Sequence, residues 1–194
     1  KLQNLKFNQI IRKEGPKDHL SKSGTPTMGG LVVVPIALIV GNITTISSGL
    51  NNKVFVLSCL ISLFMIIGMV DDLQSFSNQT NKGLSAKGKL ILQTIAGLSF
   101  LGWSASQNWI SSKIALFDTI SIDIGIIIWP LALFVLLAES NATNLIDGLD
   151  GLASGCGALI FAGIALQIIL RPETNDINIA TFCMGMTGAW LGFL

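Results

Sequence analysis

Charge is what this sequence has least of. Asp, Glu, Lys and Arg make up 12% of its 194 residues, against about 25% in an ordinary soluble domain. So little charge, with 51% hydrophobic residues and a mean hydropathy of +0.67, excludes a water-facing globular surface and points to a membrane protein. Histidine is nearly absent: His19 stands alone, and a single loop histidine reads as solvated. Cys59, Cys156 and Cys183 lie in apolar runs at no metal-ligand spacing, which excludes a zinc centre or a disulfide framework and leaves small buried hydrophobes. No signal peptide is legible in the polar, basic stretch Lys1–Lys22, and the chain ends inside the apolar run "GAWLGFL". The expectation is one transmembrane catalytic domain over residues 1–194, truncated at both ends.

Long apolar runs are abundant. A membrane span needs roughly 20 mostly apolar residues, and six candidates follow: Leu31–Leu50, Val54–Val70, Leu90–Ser106, Ile124–Ala138, Leu152–Leu170 and Ile177–Leu194. The predicted fold class is therefore all-α, a polytopic integral membrane helix bundle. Between the third and fourth spans, "SKIALFDTISIDIG" alternates apolar and polar residues around Asp-Thr, predicting a short extracytoplasmic β-hairpin.

If the spans alternate, nine of the twelve Lys and Arg residues fall on one side: Lys1, Lys6, Arg12, Lys13, Lys17, Lys22, Lys82, Lys87 and Lys89. The positive-inside rule places that side in the cytoplasm. The same parity carries every unusual polar motif to this face: "GPKDHLSKSGTPTMGG", "VDDLQSFSNQTNKGLSAKGK" and "ESNATNLIDGLDG". Three separated loops meeting at one surface suit a composite active site. A transport pathway would more often place acids mid-span or on both faces.

The stretch Ala138–Gly155 contains no basic residue. Asn141, Asn144, Asp147 and Asp150 recur every third position, and on a straight helix each such step rotates by about 60°, so the four cannot face one target. Gly148 and Gly151 permit a bend that re-aims them; Ile127–Asn144 is read as mostly span, with Asp147–Gly151 opening the next helix. Capping that helix needs one Asp, and two Asp with two Asn exceed the need. Asp71 and Asp72 follow "FMIIGMV" directly, as interfacial acids often do. Four carboxylates at one surface repel unless a cation joins them, and with oxygen ligands only, Mg²⁺ is the natural candidate, together with substrate phosphates. Lys22, Lys82, Lys87 and Lys89 flank the acids as a phosphoryl-transfer site requires. Lys89 alone is assigned to lipid headgroups. "SGTPTMGG" has no full Walker pattern, yet its glycines, Thr25 and Thr27 offer donors to an anion.

In this order and spacing, "HLSKSGTPTMGG", "VDDL", "NKGLSAKGK" and "NATNLIDGLDGLASG" resemble the phospho-N-acetylmuramoyl-pentapeptide transferase family, within the polyprenyl-phosphate N-acetylhexosamine-1-phosphate transferase superfamily. The resemblance covers nearly the whole chain. It implies a multi-pass helical enzyme of the bacterial cytoplasmic membrane, working at the cytoplasmic face in cell wall synthesis. Such an enzyme transfers phospho-MurNAc-pentapeptide from UDP-MurNAc-pentapeptide to undecaprenyl phosphate, requires Mg²⁺ and releases UMP. By motif position Asp71 is the base or nucleophile-activating residue, with Asp72 its acidic partner; both are candidate metal ligands. Lys22, Thr27, Asn144, Asp147 and Asp150 would line the nucleotide-sugar pocket, Lys82 and Lys87 would face phosphates, and Asn141 is carried by motif. Membrane lipid is an implied partner, a homodimer is compatible with the resemblance, and no nucleic acid is expected.

Two departures stand out. Where the family often has Asp-Asp-x-x-Lys, this sequence has Ser75, and Lys82 is the candidate replacement. The family's later Gly-Asp-x-Gly-Ser acid, taken as the main Mg²⁺ ligand, and its His-rich loop are expected beyond Leu194. Two other functions compete: a sibling transferase loading N-acetylglucosamine phosphate, against which the first loop and "NKGLSAK" argue, and a cation-coupled transporter, against which the one-sided acids argue.

Overall fold

A computed structural model describes residues 29–46, 51–78, 83–117, 120–146, 151–171 and 176–194. Its helices are α1 (Gly30–Ile46), α2 (Asn52–Ser77), α3 (Ala86–Ser106), α4 (Ile128–Ile146), α5 (Leu152–Leu170) and α6 (Ile177–Phe193). A helix therefore forms at each of the six predicted spans. Strands β1 (Lys113–Phe117) and β2 (Ile120–Asp123) make the predicted hairpin, and a 3₁₀ turn at Gly125–Ile127 leads into α4. By length and hydropathy, α2, the segment Gly125–Leu145 and α5 are long and apolar enough to cross a membrane; α1 and α6 are shorter apolar helices. The fold is an all-α membrane bundle, and the protein is multi-pass.

The chain divides into two compact units, residues 1–89 with 154–194, and residues 90–153. In the first, small residues decide the packing. A Cβ on Gly41 of α1 would collide with the Phe182 ring of α6, and one on Gly185 would lie 3.1 Å from the Gly41 Cα. Gly29 meets Phe193 in the same way, so α1 and α6 run antiparallel with their backbones nearly touching. Close approach through small residues is how helices associate where lipid removes the hydrophobic drive. Ala37, Val54, Phe182 and Met186 form one buried cluster, and Ala165, Ala180 and Cys183 a second where α5 meets α6. Large apolar side chains such as Ile39, Ile43, Phe55, Leu159 and Leu166 point outward, as a lipid-facing surface requires.

Polar side chains inside this unit find partners among their neighbours, whereas the buried Trp190 Nε1 has none among the described residues. The Asn42 amide donates to Ser58 Oγ at 2.9 Å, and that hydroxyl donates to the Val54 carbonyl at 2.8 Å. Helix α2 starts at Asn51, whose side-chain oxygen accepts the Lys53 and Val54 N–H groups, an N-cap worth about 1 kcal/mol. The helix is 26 residues long, about 39 Å at 1.5 Å per residue, and so exceeds a hydrocarbon core of roughly 30 Å. An ion pair marks each limit. Lys53 Nζ bonds both carboxylate oxygens of Asp176 at 2.9 and 3.0 Å, and Asp71 pairs with Lys89 at 2.8 Å. Lys53 and Asp71 are separated along α2 by about 27 Å, close to the thickness of the apolar layer. The helix is longer than the predicted span Val54–Val70: α2 continues through the acid pair to Ser77.

In the second unit α3 lies against α4. A Cβ on Gly97 would come 2.8 Å from Leu133 Cδ1, so glycine again sets the approach. Gln93, 2% exposed, crosses between the helices. Its Nε2 donates to Ser140 Oγ at 3.1 Å and its Oε1 accepts from Asn141 Nδ2 at 2.9 Å. The hairpin pairs Lys113 with Asp123 and Ile114 with Ile122, and its register shifts between Ala115 and Phe117; the predicted Asp-Thr turn lies outside the described residues. The Asp123 carboxyl sits below its ordinary pKa because the Ser112 side chain and then the Gly125 N–H hydrogen-bond to it, with Lys113 adding its charge.

Candidate active site

The site residues in the first unit lie where α2 hands the chain to α3. Ser85 begins α3: its hydroxyl oxygen accepts the Gly88 N–H at 3.1 Å and its carbonyl the Lys89 N–H at 2.9 Å, the pattern of an N-cap. No acid stands in the first turn that follows; Lys87 and Lys89 do. A helix N-terminus carries partial positive charge, so cations there are unfavourable by a few tenths of a kcal/mol or more. These lysines do not serve the helix.

Lys89 is explained by Asp71. Its Nζ lies 2.8 Å from Asp71 Oδ2, with the two side chains 17% and 20% exposed. The other oxygen, Oδ1, accepts the Leu84 N–H at 2.7 Å. Gly83 sits so close that a methyl group there would run into the Asp71 carboxylate and carbonyl. Two donors on two different oxygens thus fix the plane of a mostly buried carboxylate at the edge of the apolar layer. The assignment of Lys89 to headgroups gives way to this pair. The sequence carried only a partial signal, since Lys87 and Lys89 both fall in a first helical turn, where a nearby acid makes a cation favourable.

Asp72 follows on the exposed side of α2, and Lys87 is exposed at the start of α3. Asn141 and Asn144 belong to the second unit. Asn144 lies exposed in the last turn of α4. Asn141 is half-buried, and its amide donates to Gln93 and to the Leu137 carbonyl at 2.7 Å, so its side chain joins helices rather than standing open. Gly151 has φ +76°, the left-handed region that favours glycine; the rest of the bend expected over Asp147–Gly151 lies outside the described residues. Lys22, Thr27, Lys82, Asp147 and Asp150 lie outside the described residues. Among the described residues no group of three or more His, Cys, Asp or Glu side chains is placed to hold a metal ion, and both oxygens of Asp71 already accept donors. Asp71 and Asp72 are the candidate Mg²⁺ ligands among the described residues, and the other two acids of the expected cluster, Asp147 and Asp150, lie outside them.

The family model of Glycosyl transferase family 4 matches residues 54–194, more than half of the sequence. The chain belongs to Glycosyl transferase family 4. A second match, to phospho-N-acetylmuramoyl-pentapeptide-transferase signature 1, covers residues 22–34 and so includes Lys22 and Thr27; the other predicted site residues lie inside the family 4 match. Among curated relatives, the phospho-N-acetylmuramoyl-pentapeptide-transferase of Prochlorococcus marinus (strain MIT 9313) is 56% identical over 194 residues, covering 100% of this chain and 52% of the relative. The protein of the same name from Synechococcus sp. (strain CC9605) is 55% identical over 193 residues, covering 100% and 55%. That of Microcystis aeruginosa (strain NIES-843 / IAM M-2473) is 46% identical, covering 100% and 52%. The chain spans about half the length of these relatives.

Proposed function

We propose that this chain carries the polyprenyl-phosphate side and much of the donor side of a phospho-MurNAc-pentapeptide transferase of the bacterial cytoplasmic membrane. The observation that carries the reading is the 56% identity, end to end along this chain, to a relative of that name, joined to the signature over Lys22 and Thr27. In the reaction an oxygen of undecaprenyl phosphate attacks the sugar-linked phosphorus of UDP-MurNAc-pentapeptide. The bridging P–O bond breaks, UMP departs with the bridging oxygen, and a lipid-linked diphosphate sugar remains.

Asp71 suits the acceptor side. Its carboxylate lies at the depth of a polyprenyl phosphate headgroup, and each oxygen keeps a lone pair beyond the donor it already accepts. From there it orients or deprotonates the attacking phosphate, with Asp72 beside it. Lys87, exposed at the N-terminus of α3, and Lys22 and Lys82 answer the charge of the phosphates. Thr27, Asn144, Asp147 and Asp150 are assigned to the uridine and sugar. Asn141 is assigned to holding α4 against α3. A Mg²⁺ requirement belongs to the same proposal, although none of these residue roles depends on it; chelation followed by Mg²⁺ addition checks it.

The test is UMP release by the purified full-length protein in lipid nanodiscs, supplied with undecaprenyl phosphate and either UDP-MurNAc-pentapeptide or UDP-GlcNAc. Release with the muramoyl donor alone is expected. Release with UDP-GlcNAc alone would assign the sibling transferase, and ion flux in proteoliposomes without UMP would assign a transporter.

A further inference from the structure

We propose that Lys89 is a positioning residue of the transfer site, acting through Asp71, with Gly83 giving the space that lets it do so. The inference rests on the transferase reading of Asp71. Three observations converge on it. Lys89 occupies the first turn of α3, where the helix field opposes a cation, so its place there is not accounted for by helix stability. Its ammonium reaches Asp71 Oδ2 at 2.8 Å, with both side chains largely withdrawn from solvent. The Leu84 N–H takes Oδ1 from a different direction at 2.7 Å.

An aspartate side chain has two rotatable bonds, and a carboxylate held by one donor still turns about the Cβ–Cγ axis. Held by two donors on two oxygens, it does not. The second donor is a backbone amide immediately after Gly83, whose Cα lies so near Asp71 that no side chain fits. Lys89, itself set by the Ser85 cap, therefore fixes both the charge and the direction of the carboxylate that the acceptor phosphate meets.

The experiment compares the full-length wild-type protein with Lys89→Met, Lys89→Arg, Gly83→Ala, Asp71→Asn and the double variant Asp71→Asn/Lys89→Met, using UMP release and donor binding. Lys89→Met should lose about 100-fold in kcat, as misplacement of a reacting group does, while donor KM stays within about threefold. Lys89→Arg should restore most of the loss by keeping the charge. On the Asp71→Asn background, Lys89→Met should cost nothing further, because a residue acting through Asp71 has nothing left to act on. If Lys89→Met does not accumulate in the membrane, Lys89→Arg and Gly83→Ala decide: the first near wild type and the second losing kcat at unchanged donor KM supports the proposal. Wild-type kcat in Lys89→Met or Gly83→Ala, a donor KM that rises at unchanged kcat, or additive losses in the double variant would overturn it. A wild-type protein that releases no UMP at all would instead remove the transferase reading beneath it.

Discussion

A single carboxylate illustrates how much a residue's surroundings add to its type. Asp71 could be named from sequence because it follows an apolar run and precedes a second acid. Its partner could not, since counting cations treats all lysines on one side of the membrane alike, and Lys89 looked like one more headgroup contact. What separates it from Lys87, which shares the first turn of α3, is its 2.8 Å contact with Asp71. For Asp71→Asn in the full-length protein, the expected outcome is a loss of about 100-fold or more in turnover, the scale of acid–base contributions, with insertion and donor binding retained. Near-normal turnover would return Asp71 to the class of interfacial acids. Asp150 stands out for a different reason: no basic residue accompanies it in Ala138–Gly155, and the proposal is that the nucleotide-sugar supplies the donors. Asp150→Ala should weaken UDP-sugar binding by about 1–3 kcal/mol, the cost of one lost buried polar contact, and leave the lipid acceptor nearly unaffected. Calorimetry showing the reverse preference would move this loop to the acceptor side.

At the scale of elements, hydropathy locates the helices but marks only the apolar part of each. The apolar run of α2 stops at Val70, yet the i→i−4 hydrogen bonds continue to Ser77, because outside the hydrocarbon a helix needs only its own backbone and a cap. The polar residues of α3 were also under-read: Gln93 sits among apolar neighbours in sequence but bridges to Ser140 and Asn141. Gln93→Ala should therefore lower the melting temperature by an amount equivalent to about 1–3 kcal/mol, leaving the Asn141 amide short of a partner. Asn141→Ala should do the same, whereas weakened donor binding at unchanged stability would make Asn141 a substrate contact after all. The hairpin offers a pH test. Hydrogen bonds lower the pKa of Asp123 in the folded state, so its contribution is present above the unfolded value of about 3.8–3.9 and fades as pH falls through the still lower folded value. The melting-temperature gap between wild type and Ser112→Ala should accordingly be full at neutral pH and close in strong acid. A gap that persists there would mean Ser112 acts without the charge.

For the whole molecule, the expectation is a common sidedness for the polar loops. Nine of twelve cations lie on one side of the alternating spans, and cysteines placed at Ser23, Ser77 and Ser140 should all be labelled from the cytoplasm and none from outside. External labelling at any one of them would break the case for a composite site. The α1–α6 contact has a consequence in time. Gly41 and Gly185 touch across most of the chain's length, and at 5–20 residues per second a ribosome needs on the order of ten seconds to pass from one helix to the other. Through that interval α1 is in the bilayer without its mate, its glycine groove filled by acyl chains or by the insertion machinery. Assembly of the first unit is thus ordered by synthesis itself, and α1, made well before α6, waits for its partner.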